Sequence, residues 1–186
     1  QGYADAQFNL GLMYDEGTGV PQDDVEAVNW YWMAADQGYA PAQFNLGLMY
    51  DKGTGVPKDD VKARNWYRKA AEQGYPDAQF NLGLLYDKGK GVLQDDIEAG
   101  KWYRKAAEQG YAVAQFNLGQ MYLDGKGVPQ DFGSAHMWFN LSAANGHLKA
   151  ATARDKSVAV KMTRAEIAVA QRRAGVCHAS EYQDCY

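Results

Sequence analysis

Four serines, three histidines and two cysteines are the side chains of this 186-residue chain best suited to covalent or metal chemistry. A serine with a lysine three residues on could form an acyl-enzyme. Here Ser134, Ser142, Ser157 and Ser180 are followed at that distance by Met137, Asn145, Val160 and Gln183. Cys177 and His178 are adjacent in the chain, and neighbouring side chains do not normally converge on one substrate atom. His136, His147 and His178 lack the spacing of a zinc site. The aspartate pairs Asp23-Asp24 and Asp59-Asp60 suit the openings of helices better than acid–base work. The "GTG" and "GKG" stretches lack the preceding strand and the placed lysine of a phosphate loop. These residues predict no catalysis, no metal and no cofactor.

The elements that position these residues come from a repeat. The octet "QFNLGLMY" stands at residues 7–14 and 43–50, returns as "QFNLGLLY" at 79–86 and as "QFNLGQMY" at 115–122, a period of 36. Self-similarity of this length marks a stacked repeat architecture. The matching units are 2–37, 38–73, 74–109 and 110–145, and each reads as two helices. The first helix of the first unit runs from Ala4 to Asp15, with Gly17 placed to close it in the left-handed conformation. A loop anchored by Val20 follows. Asp23 then caps a second helix, and Glu26 completes a capping box that Asp95 and Glu98 repeat. On the second helices Ala27, Trp30, Tyr31 and Ala34 share one face, as do Ala63, Trp66, Tyr67 and Ala70, so the tryptophans read as core.

Residues 146–175 leave the pattern and read as capping helices, with Thr163 and Glu166 as a capping box and Gly175 as the stop. Residues 176–186 form a tail that carries Cys177 and Cys185. These are either a disulfide or two free thiols. A formal charge of −4 argues against nucleic acid as partner, and no apolar run is long enough for membrane insertion.

The residues Ala6, Leu10, Gly11, Tyr14, Gly17, Gly19, Val20, Asp23, Ala27, Trp30, Ala34, Ala35 and Gly38 spell a pattern that resembles the Sel-1-like repeat, and the later units restate it. The resemblance covers about three quarters of the chain. It implies an all-α fold, a right-handed α/α superhelix similar to tetratricopeptide repeats, in which first helices line a concave face. It also implies a non-catalytic adaptor that binds a protein or peptide partner, and it favours an exported bacterial setting. Some cysteine-rich relatives are described as binding or hydrolysing penicillin. That remote alternative lacks its serine–lysine pair here, and the repeat cysteines are absent.

At 100° per residue the octet divides into two arcs. Ala6, Gln7, Leu10, Gly11 and Tyr14 form a packing arc, with Gly11 letting the paired helix approach and the glutamine structural. The opposite arc carries Phe8, Asn9, Leu12 and Asp15. Its later copies are Phe44, Asn45, Leu48 and Asp51, then Phe80, Asn81, Leu84 and Asp87, then Phe116, Asn117 and Gln120. By resemblance these face the groove; the alternative is that the asparagines bridge adjacent helices and the rings pack between units. Each asparagine amide can donate and accept at once, as pairing with an extended peptide requires. Beside this row, Trp32-Met33 stands where later units have Arg68-Lys69 and Arg104-Lys105. The pair predicts an exposed apolar patch that an upstream segment covers, or alternatively a partner or second copy in a homo-oligomer.

Overall fold

The helix signals are local and they repeat, so the elements follow the period. A computed structural model describes residues 3–185. It contains the pairs α1 (Ala4–Glu16) and α2 (Asp24–Asp36), α3 (Ala40–Lys52) and α4 (Asp60–Glu72), α5 (Pro76–Lys88) and α6 (Asp96–Ala107), and α7 (Ala112–Asp124) and α8 (Phe132–Ala144). A short α9 (Ala150–Ala153) leads through irregular turns over Arg154–Lys161 into α10 (Arg164–Ala179). The fold is all-α, as expected, and no strand occurs among the described residues. The chain divides into two compact units, Gln1–Gln94 and Asp95–Tyr186.

In the first unit, α1 ends where Gly17 turns to φ 71° and its N–H reaches the Met13 carbonyl. Asp23 caps α2 by accepting from the N–H groups of Val25 at 3.0 Å and Glu26 at 3.1 Å. The expected return bond from Glu26 is not made. The Asp23 N–H already donates to the Tyr14 carbonyl at 2.9 Å, which ties loop to helix and leaves Glu26 nothing to cap. In the second unit Glu98 is likewise drawn away, to Lys101 Nζ at 2.5 Å. Only Thr163 and Glu166 close a true box among the described residues, with Thr163 N–H donating to Glu166 Oε2 at 2.7 Å.

Packing in the first unit centres on Ala27, Tyr31, Ala34, Ala42 and Leu46, all inaccessible to solvent. The glycine of each octet sets the depth of this packing. A Cβ on Gly11 would lie 2.6 Å from the Tyr31 ring, and one on Gly47 would lie 2.6 Å from the Tyr67 ring. The loop glycine Gly55, at φ 68°, sits so close to the start of α2 that a Cβ there would fall 2.2 Å from the Asp24 carbonyl oxygen. In the second unit Gly119 receives Phe139 in the same way, and α10 packs against α8.

Two expectations are corrected. The tryptophans are not uniformly core: Trp138 is fully buried under the capping segment, whereas Trp30, Trp66 and Trp102 are half-buried. The neighbouring ring, Tyr31, Tyr67 or Tyr103, fills the interior instead. Lysines cover the outer faces, with Lys69 Nζ 4.1 Å from the Trp66 ring centre and Lys105 Nζ 4.3 Å from that of Trp102. Gly175 does not stop α10, which runs on to Ala179 and delivers the buried Cys177 to a disulfide with Cys185.

Candidate functional site

The octet has to satisfy its own polar atoms before any of them can serve a ligand. Gln43, buried, donates to the Ala35 carbonyl at 3.1 Å and accepts from Gln73 Nε2 at 2.7 Å. In the second unit Gln115 donates to the Ala107 carbonyl at 3.0 Å and accepts from Asn145 Nδ2 at 2.9 Å. The first octet residue is therefore a polar rivet that ties a first helix to the end of the preceding second helix and to its own. A buried amide with two such bonds is satisfied and inert.

The opposite arc behaves differently. In the first unit Phe8, Leu12 and Asp15 are half-buried and Asn9 is exposed. Phe44, Asn45, Leu48 and Asp51 are half-buried, as are Phe80, Asn81, Leu84 and Asp87. In the second unit Phe116, Asn117 and Gln120 share that state, while Leu123, at the position of Asp15, turns into the core. The phenylalanines serve packing as well as surface. Phe8 lies 5.7 Å from Tyr31 and 5.3 Å from Tyr39, Phe44 repeats this with Tyr67 and Tyr75, and Phe116 stacks 4.4 Å from His147.

Buried tyrosine hydroxyls form the floor of the arc in the first unit. Tyr31 donates to Asp15 Oδ2 at 3.0 Å. Burial, then the Asp15 charge, drives its ionisation far above the ordinary range, so it stays a donor. Tyr67 is raised in the same way by burial and by Asp51, yet its buried hydroxyl has no hydrogen-bond partner. Asp15 thus carries a structural duty, whereas Asn9 and Asn81 do not hold Tyr31.

The sequence profile of the Sel1 repeat matches residues 4–39, 40–75, 76–111 and 112–147. The chain belongs to the Sel1 repeat family. A crystal structure of a Sel1 repeat protein from Oxalobacter formigenes is 39% identical, with a TM-score of 0.79 over 94% of this chain and 73% of the other. A protective antigen from uropathogenic Escherichia coli, c5321, described as displaying an SLR fold, is 32% identical with a TM-score of 0.64. The match covers 98% of this chain and 46% of that one, so this chain spans about half the antigen's length. No curated protein matches. Sel1 repeats generally form non-catalytic scaffolds for protein interaction.

Three of the four serines have structural partners. Ser134 Oγ donates to Asp131 at 2.7 Å, Ser142 Oγ to the Ala112 carbonyl at 2.7 Å and Ser180 Oγ to the Cys177 carbonyl at 3.1 Å. His136 is buried beside Arg154 and Asp155, and burial first, then the Arg154 charge, holds it below its ordinary range. No cluster of three potential metal ligands occurs among the described residues, and no described helix is long and apolar enough to cross a membrane. Trp32 and Met33 are 50% and 43% exposed, as the sequence predicts for the patch. The sequence did not foresee that Trp32 borders a cleft of about 540 Å³ with Tyr50, Trp66, Lys62 and Lys69. The signal was available in Lys62 and Lys69, which fall on one helical face with Trp66.

Proposed function

We propose that this Sel1 repeat protein is an adaptor that receives a segment of a protein partner along the half-buried arc of its first helices. The observation that carries this reading is the division of the second octet. Gln43, Leu46 and Gly47 are buried and satisfied, while Phe44, Asn45 and Leu48 stay accessible on the same helix. Accessible amides beside aromatic and aliphatic side chains suit an extended peptide, whose backbone offers both donors and acceptors and whose side chains need apolar contact. Asp15, Asp51 and Asp87 give the arc of the first unit an acidic edge, which favours a segment carrying lysine or arginine.

The test is affinity capture from a native extract with the intact chain beside an Asn9→Ala, Asn81→Ala double variant. Neither residue holds Tyr31, so the variant keeps that internal network. A protein retained by the parent and lost by the folded variant supports recognition on this arc. Equal retention by both removes the asparagines from the site.

A further inference from the structure

We infer a second docking surface on the second helices of the first unit, a cleft that takes an acidic polypeptide segment with a bulky apolar side chain beside its carboxylates. It goes beyond the first-helix arc and shares no residue with it. Trp32 of α2 forms one wall, and Trp66 of α4 with Tyr50 of α3 forms the other. Trp32 stands where the next repeat has Arg68, and half of its surface is open to solvent. That one difference turns a charged groove into an aromatic slot of about 540 Å³.

Charge decides the occupant. Lys62, Arg68 and Lys69 line the cleft against a single carboxylate, Glu72, in a chain whose formal charge is −4. Lys69 Nζ sits 4.1 Å over the Trp66 ring and Lys62 Nζ 5.2 Å over the Tyr50 ring. Both ammonium groups are therefore held at the aromatic walls and keep N–H donors for a ligand. Lys62 is only loosely drawn to Asp59, at 3.8 Å, and Arg68 uses one guanidinium nitrogen on the Tyr86 hydroxyl. Carboxylates are the ligands that three such cations select, and an aliphatic side chain between Trp32 and Trp66 removes apolar surface from water. A neutral sugar would need paired amide and carboxylate groups, and Asn65 is the single amide in the lining. A nucleic acid meets the same cations but brings no aliphatic side chain to the slot between Trp32 and Trp66.

The experiment is a tryptophan-fluorescence titration of the intact chain with a short synthetic peptide of alternating glutamate and leucine. Controls are the same peptide with serine for leucine, one with lysine for glutamate, an oligogalacturonate and an oligothymidylate. The expected result is saturable, salt-sensitive binding of the glutamate–leucine peptide alone. Affinity should fall roughly tenfold or more in both Trp32→Ala and Lys69→Glu, and stay unchanged in Asn81→Ala. Both cleft positions are surface sites, and helical circular dichroism identifies any variant that fails to fold, in which case the other decides. The inference is overturned by absence of peptide binding or by equal binding to the cleft variants. It is equally overturned by equal affinity for the serine peptide or by preference for either polyanion. A concentration-dependent dimer abolished by Trp32→Ala, without peptide binding, would assign the cleft to a second copy and overturn it too. Loss in Asn81→Ala alone would place the peptide on the first-helix arc.

Discussion

The Tyr31 hydroxyl donates to Asp15 Oδ2 at 3.0 Å, whereas the equivalent hydroxyl of Tyr67 is buried with no hydrogen-bond partner. Two copies of one motif therefore differ in whether a buried polar atom is satisfied. Removing the first hydroxyl breaks a charge-assisted bond and should cost about 1.5–3 kcal/mol, while removing the second relieves an unsatisfied group and should be neutral or stabilising. Urea denaturation of Tyr31→Phe and Tyr67→Phe reads the contrast directly. Equal destabilisation by both would show that Tyr67 has a polar partner in solution.

The octet glycine and the glycine of α10 should respond oppositely to alanine. At Gly47 a Cβ would press to 2.6 Å from the fully buried Tyr67 ring, and overpacking of this kind costs about 1–3 kcal/mol. At Gly175, in the interior of α10, nothing lies within 4 Å of an added Cβ. Gly175→Ala should therefore stabilise by about 0.5–1 kcal/mol through helix propensity alone. Thermal midpoints of the two variants check both signs.

The parts of the fold that were legible in the sequence are those set by local chemistry repeated with a fixed period. Gly17 closes α1, Asp23 opens α2, and in the second octet Gln43, Leu46 and Gly47 are buried while Phe44, Asn45 and Leu48 are half-buried, as a 100° step requires. What was not legible depends on contacts across the chain. Trp30 and Tyr31 are neighbours on one face, and it is the tyrosine that goes inside, where Gly11 leaves room for its ring. Glu26 looked like half of a capping box until the Tyr14 carbonyl took the Asp23 N–H. The structural duty of Asp15 was not legible either, because it rests on Tyr31 of the paired helix.

Stability should fall as the solution turns mildly acidic. His136 is held below its ordinary value near 6.5 by burial and then by the Arg154 charge, with Asp155 opposing. His147, stacked on Phe116, is lowered by burial and then by Lys149. Both folded-state values are depressed, so below about 6.5 the unfolded chain binds more protons than the folded one and is stabilised relative to it. The loss grows as pH drops from that value towards the folded-state ones and is absent above both. Urea midpoints measured from about pH 7.5 to 5.5 should decline in the parent and decline less in a His136→Gln, His147→Gln variant. Parallel declines would assign the slope to carboxylates.

The disulfide should act as a clasp on the end of the repeat array. Cys177 and Cys185, eight residues apart, enclose Tyr182, whose hydroxyl lies 2.7 Å from Asn145 Nδ2 and 3.1 Å from Asn145 Oδ1. Asn145 in turn donates to Gln115, so the closed loop completes the polar rivet of the fourth repeat. Within this loop Glu181 and Tyr182 adopt φ of 52° and 68°, a left-handed bend that ordinary side chains disfavour. Opening a loop this short should cost about 2.5 kcal/mol from chain entropy. A Cys177→Ser, Cys185→Ser variant should lose that stability and also expose Tyr182, while Tyr182→Phe, with the disulfide kept, should lose only about 1 kcal/mol. Denaturation of the three proteins, followed with tyrosine accessibility, separates the contributions. An unchanged midpoint in the double serine variant would mean that Tyr182 holds its place without the bridge.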